Sequence, residues 1–270
     1  MGNSVRGMNP RLFQRAGAIA LVAAASAALA GCGDGIGATL TFNDVEKVKV
    51  SQIVLDGSSG DVTVSTAAIN ETRITRIVHS SSDPGRSYTL TGSQLHLDTS
   101  CGSGCWVSYQ IQAPAGVAVV GELASGTVTL TGVGSTDVRV SSGDIEIRRA
   151  TGTVRAQATS GDITVSDSKG PVTLEATSGD VHAIDIGGNV HAKATSGDID
   201  VKLTAPASVT ADASSGDVDV LVPAGAYQVR TAVSSGDPNV DGVTNDASSK
   251  NVLDLRASSG DLTVATVPAA

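Results

Sequence analysis

The chain has 270 residues, 27 acidic against 18 basic, and a formal net charge of −9; aromatic residues make up 2% of it. An acidic chain with no basic cluster is a poor match for a nucleic-acid backbone, so nucleic acid is excluded as a partner. With so few aromatic side chains the core must be built from Val, Ile, Leu and Ala, a composition suited to a thin stacked interior within one elongated domain.

Residues 1–31 read as a targeting segment. Arg6, Arg11 and Arg15 form a positive start, and the run AGAIALVAAASAALA is apolar but short for a bilayer span. It ends in Leu29-Ala30-Gly31-Cys32, which resembles the bacterial lipobox. The resemblance implies lipidation at Cys32 and a diacylglyceryl cysteine as the mature N-terminus; a plain secretory signal with a chance cysteine is the other reading. Two or three acyl chains, at about 0.8 kcal/mol per buried CH₂, hold a protein on a membrane where one does not. Removing the segment takes three basic residues and no acidic one, leaving a net charge near −12. The expected location is extracytoplasmic, anchored to the cell membrane.

Residues 32–37 read as a tether, and 38–270 as a single all-β domain, a parallel β-solenoid. From 38 to 121 apolar and polar residues alternate as in strands, but no period is regular, which predicts irregular coils at the N-terminal end. Asp83-Pro84-Gly85 and Ala113-Pro114-Ala115-Gly116 are turns by their chemistry. Cys101 and Cys105, four apart with Gly102 and Gly104 between them, are most simply a local disulfide in an exported protein. A zinc site would need two further ligands, and His96 alone is close in sequence.

From 122 to 265 the chain repeats. The stretch 151–204 reads in nines: TGTVRAQAT, SGDITVSDS, KGPVTLEAT, SGDVHAIDI, GGNVHAKAT, SGDIDVKLT. Asp follows Gly only in alternate nines, so the unit is about 18 residues, two strand-and-turn halves. Each half is too short to bury its apolar face alone, so coils must stack through parallel pairing about 4.8 Å apart. Alignment on the SG glycines predicts inward rows Val154, Val172, Val190, Val209, Val229, Leu253 and Ala156, Leu174, Ala192, Ala211, Thr231, Leu255. An outward row holds Arg139, Gln157, Glu175, Lys193, Asp212, Ala232 and Arg256. The last SG step is the longest, and its extra residues (241–251, DGVTNDASSKN) are expected to bulge from one coil as a polar loop.

Asp144, Asp162, Asp180, Asp198, Asp217, Asp237 and Asp261 should form one line. At about 4.8 Å, neighbouring carboxylates repel by roughly 1 kcal/mol in water, so something must compensate. Backbone N–H groups of each aspartate's own turn would do so. A row of Ca²⁺ is the alternative, but calcium-binding rolls use GGxGxD, whose extra glycines and carbonyls complete an oxygen cage, and the alternate edge here carries Pro171, Asn189 or Ala207. The adjacent row Ser141, Thr159, Thr177, Thr195, Ser214, Ser234, Ser258 is read as turn hydroxyls rather than a flat ice-binding face.

Together the lipobox, the Cys pair followed by an alternating strand and a Pro-Ala-Gly turn, and the SGD repeats resemble the bacterial putative-adhesin family of β-strand-repeat proteins of unknown function. The resemblance spans roughly residues 38–267 and implies a surface location with an adhesive or envelope-associated role. It implies no catalytic residues. The four histidines (His79, His96, His182, His191) are scattered, and Phe42, Tyr88, Trp106, Tyr109 and Tyr227 are the only aromatics beyond the signal. The expectation is therefore a non-catalytic, lipid-anchored surface protein, a binding, adhesion or structural scaffold, with no cofactor and an envelope or cell-surface partner. A calcium-binding scaffold and a carbohydrate-active β-helix enzyme are the two alternatives. Trp106 and Tyr109 beside the cysteine loop, and the loop 241–251, are the candidate contact patches.

Overall fold

The computed structural model describes residues 39–80 and 82–267; the targeting segment, Cys32 and the tether lie outside the described residues. Among those described there are 24 strands and no helix, arranged as two twelve-stranded sheets packed face to face. Each regular coil gives one strand to each sheet and turns between them at Ser-Gly-Asp or Ser-Gly. Pairing is parallel and in register through the repeats, with Val154 beside Val172, Val172 beside Val190, and Val190 beside Val209. The inward rows lie between the sheets as the alternation predicts, and most are fully buried, from Ala156, Leu174 and Ala192 through Leu253 and Leu255. The fold is the parallel β-solenoid that the period predicts.

The SG glycine fixes how closely coils stack. Gly161, Gly179, Gly197 and Gly216 have φ between 134° and 142°, a conformation that L side chains rarely adopt. A Cβ on Gly179 would overlap the carbonyl of Gly161 in the coil below. Glycine is thus demanded twice, by the backbone angle and by the approach of the neighbouring coil.

Coils 118–131, 136–148, 154–166, 172–186, 190–203 and 209–222 stack in chain order, but the ends do not. Coil 252–266, the last in sequence, is inserted between coils 209–222 and 226–241. At the other end coil 52–67 lies between coils 118–131 and 94–114. Both the first and the last parallel coil are therefore paired on both edges. This revises the reading of 241–251 as a simple bulge. Thr244–Asn245 pairs with the outer edge of Ala226–Ser235, and the segment carries the chain back so that coil 252–266 can enter one layer in.

The N-terminal end is closed by antiparallel strands. Thr39–Glu46 pairs with Thr72–His79, which pairs with Trp106–Pro114, and Tyr88–Thr91 pairs with Gln94–Asp98. The inward positions here are partly charged. Arg76, 5% exposed, lies 4.7 Å from the Phe42 ring, 3.5 Å from Asp44 and donates to the Gly85 carbonyl at 2.8 Å. Tyr88 donates to Glu46 at 3.0 Å, and burial pushes its phenol well above the ordinary tyrosine range. A buried cation beside a carboxylate is tolerated only while the pair is intact.

Gly179→Ala is expected to destabilise the protein by roughly 3 kcal/mol or more, from the forced backbone angle and the clash together. Urea unfolding of residues 33–270 measures it; a cost below that of an exposed Gly85→Ala control would refute the packing argument.

Candidate functional site

The Asp corner is the most repetitive surface of the molecule, and its geometry explains how like charges stack. The Asp162 N–H donates to Asp144 Oδ1 at 2.9 Å, and the same bond recurs from Asp180 to Asp162, Asp198 to Asp180 and Asp217 to Asp198. The chain crossover then reorders the line, with Asp261 donating to Asp217 and Asp237 to Asp261. Each acceptor thus serves the neighbouring coil rather than its own turn, which corrects the sequence reading. A hydrogen bond to a charged acceptor contributes about 1.5–3 kcal/mol, enough to offset the repulsion of adjacent carboxylates in water. Asp61 extends the pattern, accepting from the Thr127 N–H at 2.9 Å. Among the described residues no group of three or more His, Cys, Asp or Glu converges as a cation cage.

Beside this corner runs a groove, and the sequence did not reveal it. Its volume is about 520 Å³, and it crosses six strands along the solenoid axis. One wall is the outward row Asp56, Glu122, Arg139, Gln157, Glu175, Lys193, in register from coil to coil. The other carries Ser141, Thr159, Thr177 and Thr195, which are exposed. Alternation breaks at this edge, where two successive exposed residues follow Ala158, Ala176 and Ala194, so the hydroxyl row faces solvent beside the charged one. Glu175 is held by Arg155 at 3.3 Å and Gln157 at 2.9 Å, so this wall is a linked polar strip.

The other sheet presents a carboxylate row. His182 Nδ1 lies 2.8 Å from Asp200 Oδ2, and Asp219 follows Asp200 in register on the next coil. Burial, and then the nearby Asp200, Asp217 and Asp198, push the Asp219 carboxyl above its ordinary value, against a lowering bond to Thr263. His191 lies on the opposite sheet from His182, as the nine-residue spacing predicts.

Cys101 and Cys105 form the expected disulfide, with Cα atoms 5.2 Å apart. The patch beside it is smaller than the sequence suggests. Trp106 is 42% exposed and stacks on His79 with ring centroids 4.8 Å apart, but Tyr109 is buried. The Tyr109 hydroxyl donates to the Ser87 carbonyl at 2.6 Å and its pKa is pushed up to about 12, chiefly by burial. Tyr109 is a core residue because it is three on from Trp106, and odd spacing in a strand places two side chains on opposite faces.

The Toastrack DUF4097 profile matches residues 28–185 and 166–265, nearly the whole of both sheets. The chain belongs to the Toastrack DUF4097 family. The family resemblance read from the cysteine pair and SGD repeats therefore holds. Two solved structures are similar to this Toastrack chain. One, described as a putative adhesin from Bacteroides fragilis, is 12% identical with a TM-score of 0.44, covering 84% of this chain and 97% of its own. The other, described as a putative cell adhesion protein from Clostridium sporogenes, is 12% identical with a TM-score of 0.26, covering 83% and 99%. No curated protein matches the chain.

Asp219 supplies a test of the row's electrostatics. A carboxyl whose folded pKa is raised binds its proton more tightly in the folded state, so its contribution favours folding at low pH and is lost as pH rises through the folded value. Asp219→Asn is therefore expected to raise the thermal midpoint at pH 7 and to leave it unchanged near pH 3. A midpoint unchanged or lowered at pH 7 would remove both the desolvation and the repulsion of this carboxylate from the account.

Proposed function

We propose that the protein is a non-catalytic, lipid-anchored cell-envelope protein, held outside the cytoplasm through Cys32, whose rigid solenoid serves as a binding or adhesion surface. The observation that carries the reading is the polar groove, a continuous strip of charged, amide and hydroxyl groups repeating at the coil spacing over six strands. Such a strip offers the same contacts again and again along one axis, which suits an extended envelope polymer better than a compact small molecule. The lipobox supplies the complementary half, because a scaffold fixed to a membrane needs no second anchor.

Two measurements test it. Cells carrying the full chain should retain it in the detergent-extractable membrane fraction, with a diacylglyceryl-modified Cys32 by mass spectrometry, and Cys32→Ala should abolish the modification. An unmodified Cys32 in the wild-type chain would remove the anchor from the proposal. Residues 33–270 should co-sediment with protein-free envelope sacculi, and Glu175→Lys with Lys193→Glu should weaken this severalfold while the melting temperature holds. Release of reducing sugar ends from the sacculi would favour an enzyme instead. Because every ladder carboxylate except the terminal Asp237 already spends one oxygen on a backbone N–H, millimolar Ca²⁺ is expected to leave the thermal midpoint unchanged; a rise removed by chelator would favour the calcium scaffold.

A further inference from the structure

The two ends of the stack are chemically unlike. At the N-terminal end the inward positions of the outer strands include Asp44, Glu46 and Arg76, so another sheet edge laid there would meet buried charge. At the C-terminal end the outermost full layer is Ala226–Ser235 in one sheet and Pro238–Asp241 in the other, with only the two-residue strand Thr244–Asn245 beyond it. Its inward positions are Val229, Thr231, Val233, Pro238 and Val240, none of them charged. One layer in, the same rows hold Leu253, Leu255, Ala257, Leu262 and Val264, all at most 1% exposed. In the outer layer Thr231 and Pro238 are exposed, Val229 and Val233 half-buried, and Val240 is 42% exposed. The apolar core of the solenoid is open here.

The edge is also partly free to pair. Gln228 donates its N–H inward, to Asn251 at 2.8 Å. Val229, one residue out of phase, aims outward, and its N–H is taken by the Asn245 side chain at 3.1 Å. Thr231 and Val233 share the phase of Val229 and lie beyond the reach of Thr244–Asn245, which covers only Ala226 and Tyr227. Their N–H and carbonyl groups face outward along the axis. Pro238 has no N–H to offer, so pairing falls on the sheet of Ala226–Ser235.

We propose that this open end is a self-association surface that seats the same end of a second copy, the two related by a two-fold axis. A partner must offer a strand edge and an apolar strip together, as another solenoid end does. The N-terminal end of this chain does not qualify, because the half-buried carboxylates Asp44 and Glu46 on its outermost strand would have to be stripped of their remaining water. The like end does. An isologous contact brings the same patch against itself, which is tolerable where charge is sparse, and Ala226–Ser235 carries Arg230 as its one charged residue in ten. Two-fold symmetry also makes the paired edge strands antiparallel, the pairing that needs no connecting chain.

The proposal extends the envelope-anchored reading by naming a partner, and rests on that reading for its setting alone. Thr39 opens the outermost strand at the far end, so a lipid at Cys32 would hold the open end away from the membrane by eleven strand spacings, on the order of 50 Å. Two anchored molecules could then meet tip to tip.

Sedimentation equilibrium of residues 33–270, which contain every strand described, tests the contact without the lipid. A monomer–dimer equilibrium is expected at micromolar concentration. Val233→Lys and Thr231→Lys should each weaken it by roughly tenfold or more, since each puts two like charges into one contact. Val45→Lys, at a position 52% exposed on the opposite end, should leave it unchanged. Melting temperatures within a few degrees of the parent would show that the variants fold. A strict monomer at high micromolar concentration, open-ended growth, or a dimer lost with Val45→Lys but kept with Val233→Lys would each overturn the proposal. Membrane release in Cys32→Ala cells reports on the anchor alone, so the two readings fail separately.

Discussion

The distance between coils governs everything else in this molecule. Parallel pairing sets it at about 4.8 Å, and at that spacing the backbone of one SG turn lies directly on the carbonyl of the next. Glycine at that place is therefore a steric requirement of the stack rather than a preference of the turn. Once glycine fixes the approach, the following residue has its N–H aimed at the coil below, and Asp is the side chain that can reach back and accept it. The Gly-Asp pair is one device with two parts. The first lets coils approach, and the second satisfies the donor that the approach exposes.

The same spacing decides what the surfaces can be. Any residue type that recurs in the repeat becomes a line of identical groups, so charge must be managed row by row. The Asp line is managed by backbone donors. The row of Glu175 is managed by mixing sign and type, with Arg155 and Gln157 bound to it. The row holding Asp219 is managed less well, since desolvation first and then three further carboxylates raise its pKa. A solenoid surface thus records where like charge is tolerated and where it is not.

Much of this was legible in the sequence because a repeat states its own alignment. The inward row Val154, Val172, Val190, Val209 could be written down from the glycine positions, and the cysteine pair from its spacing. The order of coils at the ends could not. Val209 is followed in sequence by Val229, but Leu253 lies beside it, because periodicity carries no label for order; the coil with Leu255 and Leu262 takes the buried place, and the one with Thr231 and Pro238 the outer one. The groove was hidden for another reason. Its rows were visible, but strict alternation would have turned Thr159 and Ser160 to opposite faces, whereas both are exposed. Tyr109 was grouped with Trp106 by proximity in sequence, where the strand period should have separated them.

The inserted terminal coil alters how the stack can come apart. An ordinary solenoid unzips from a free tail, and each released coil gains the full freedom of an open chain. Here the outermost layer, 226–241, is tied on one side to coil 209–222 and on the other to coil 252–266, both within the stack. When that layer lifts away it becomes a closed loop rather than a tail, and a loop with fixed ends gains less entropy than a free chain. The last strand described, Leu262–Thr266, lies beneath it and is paired on both edges.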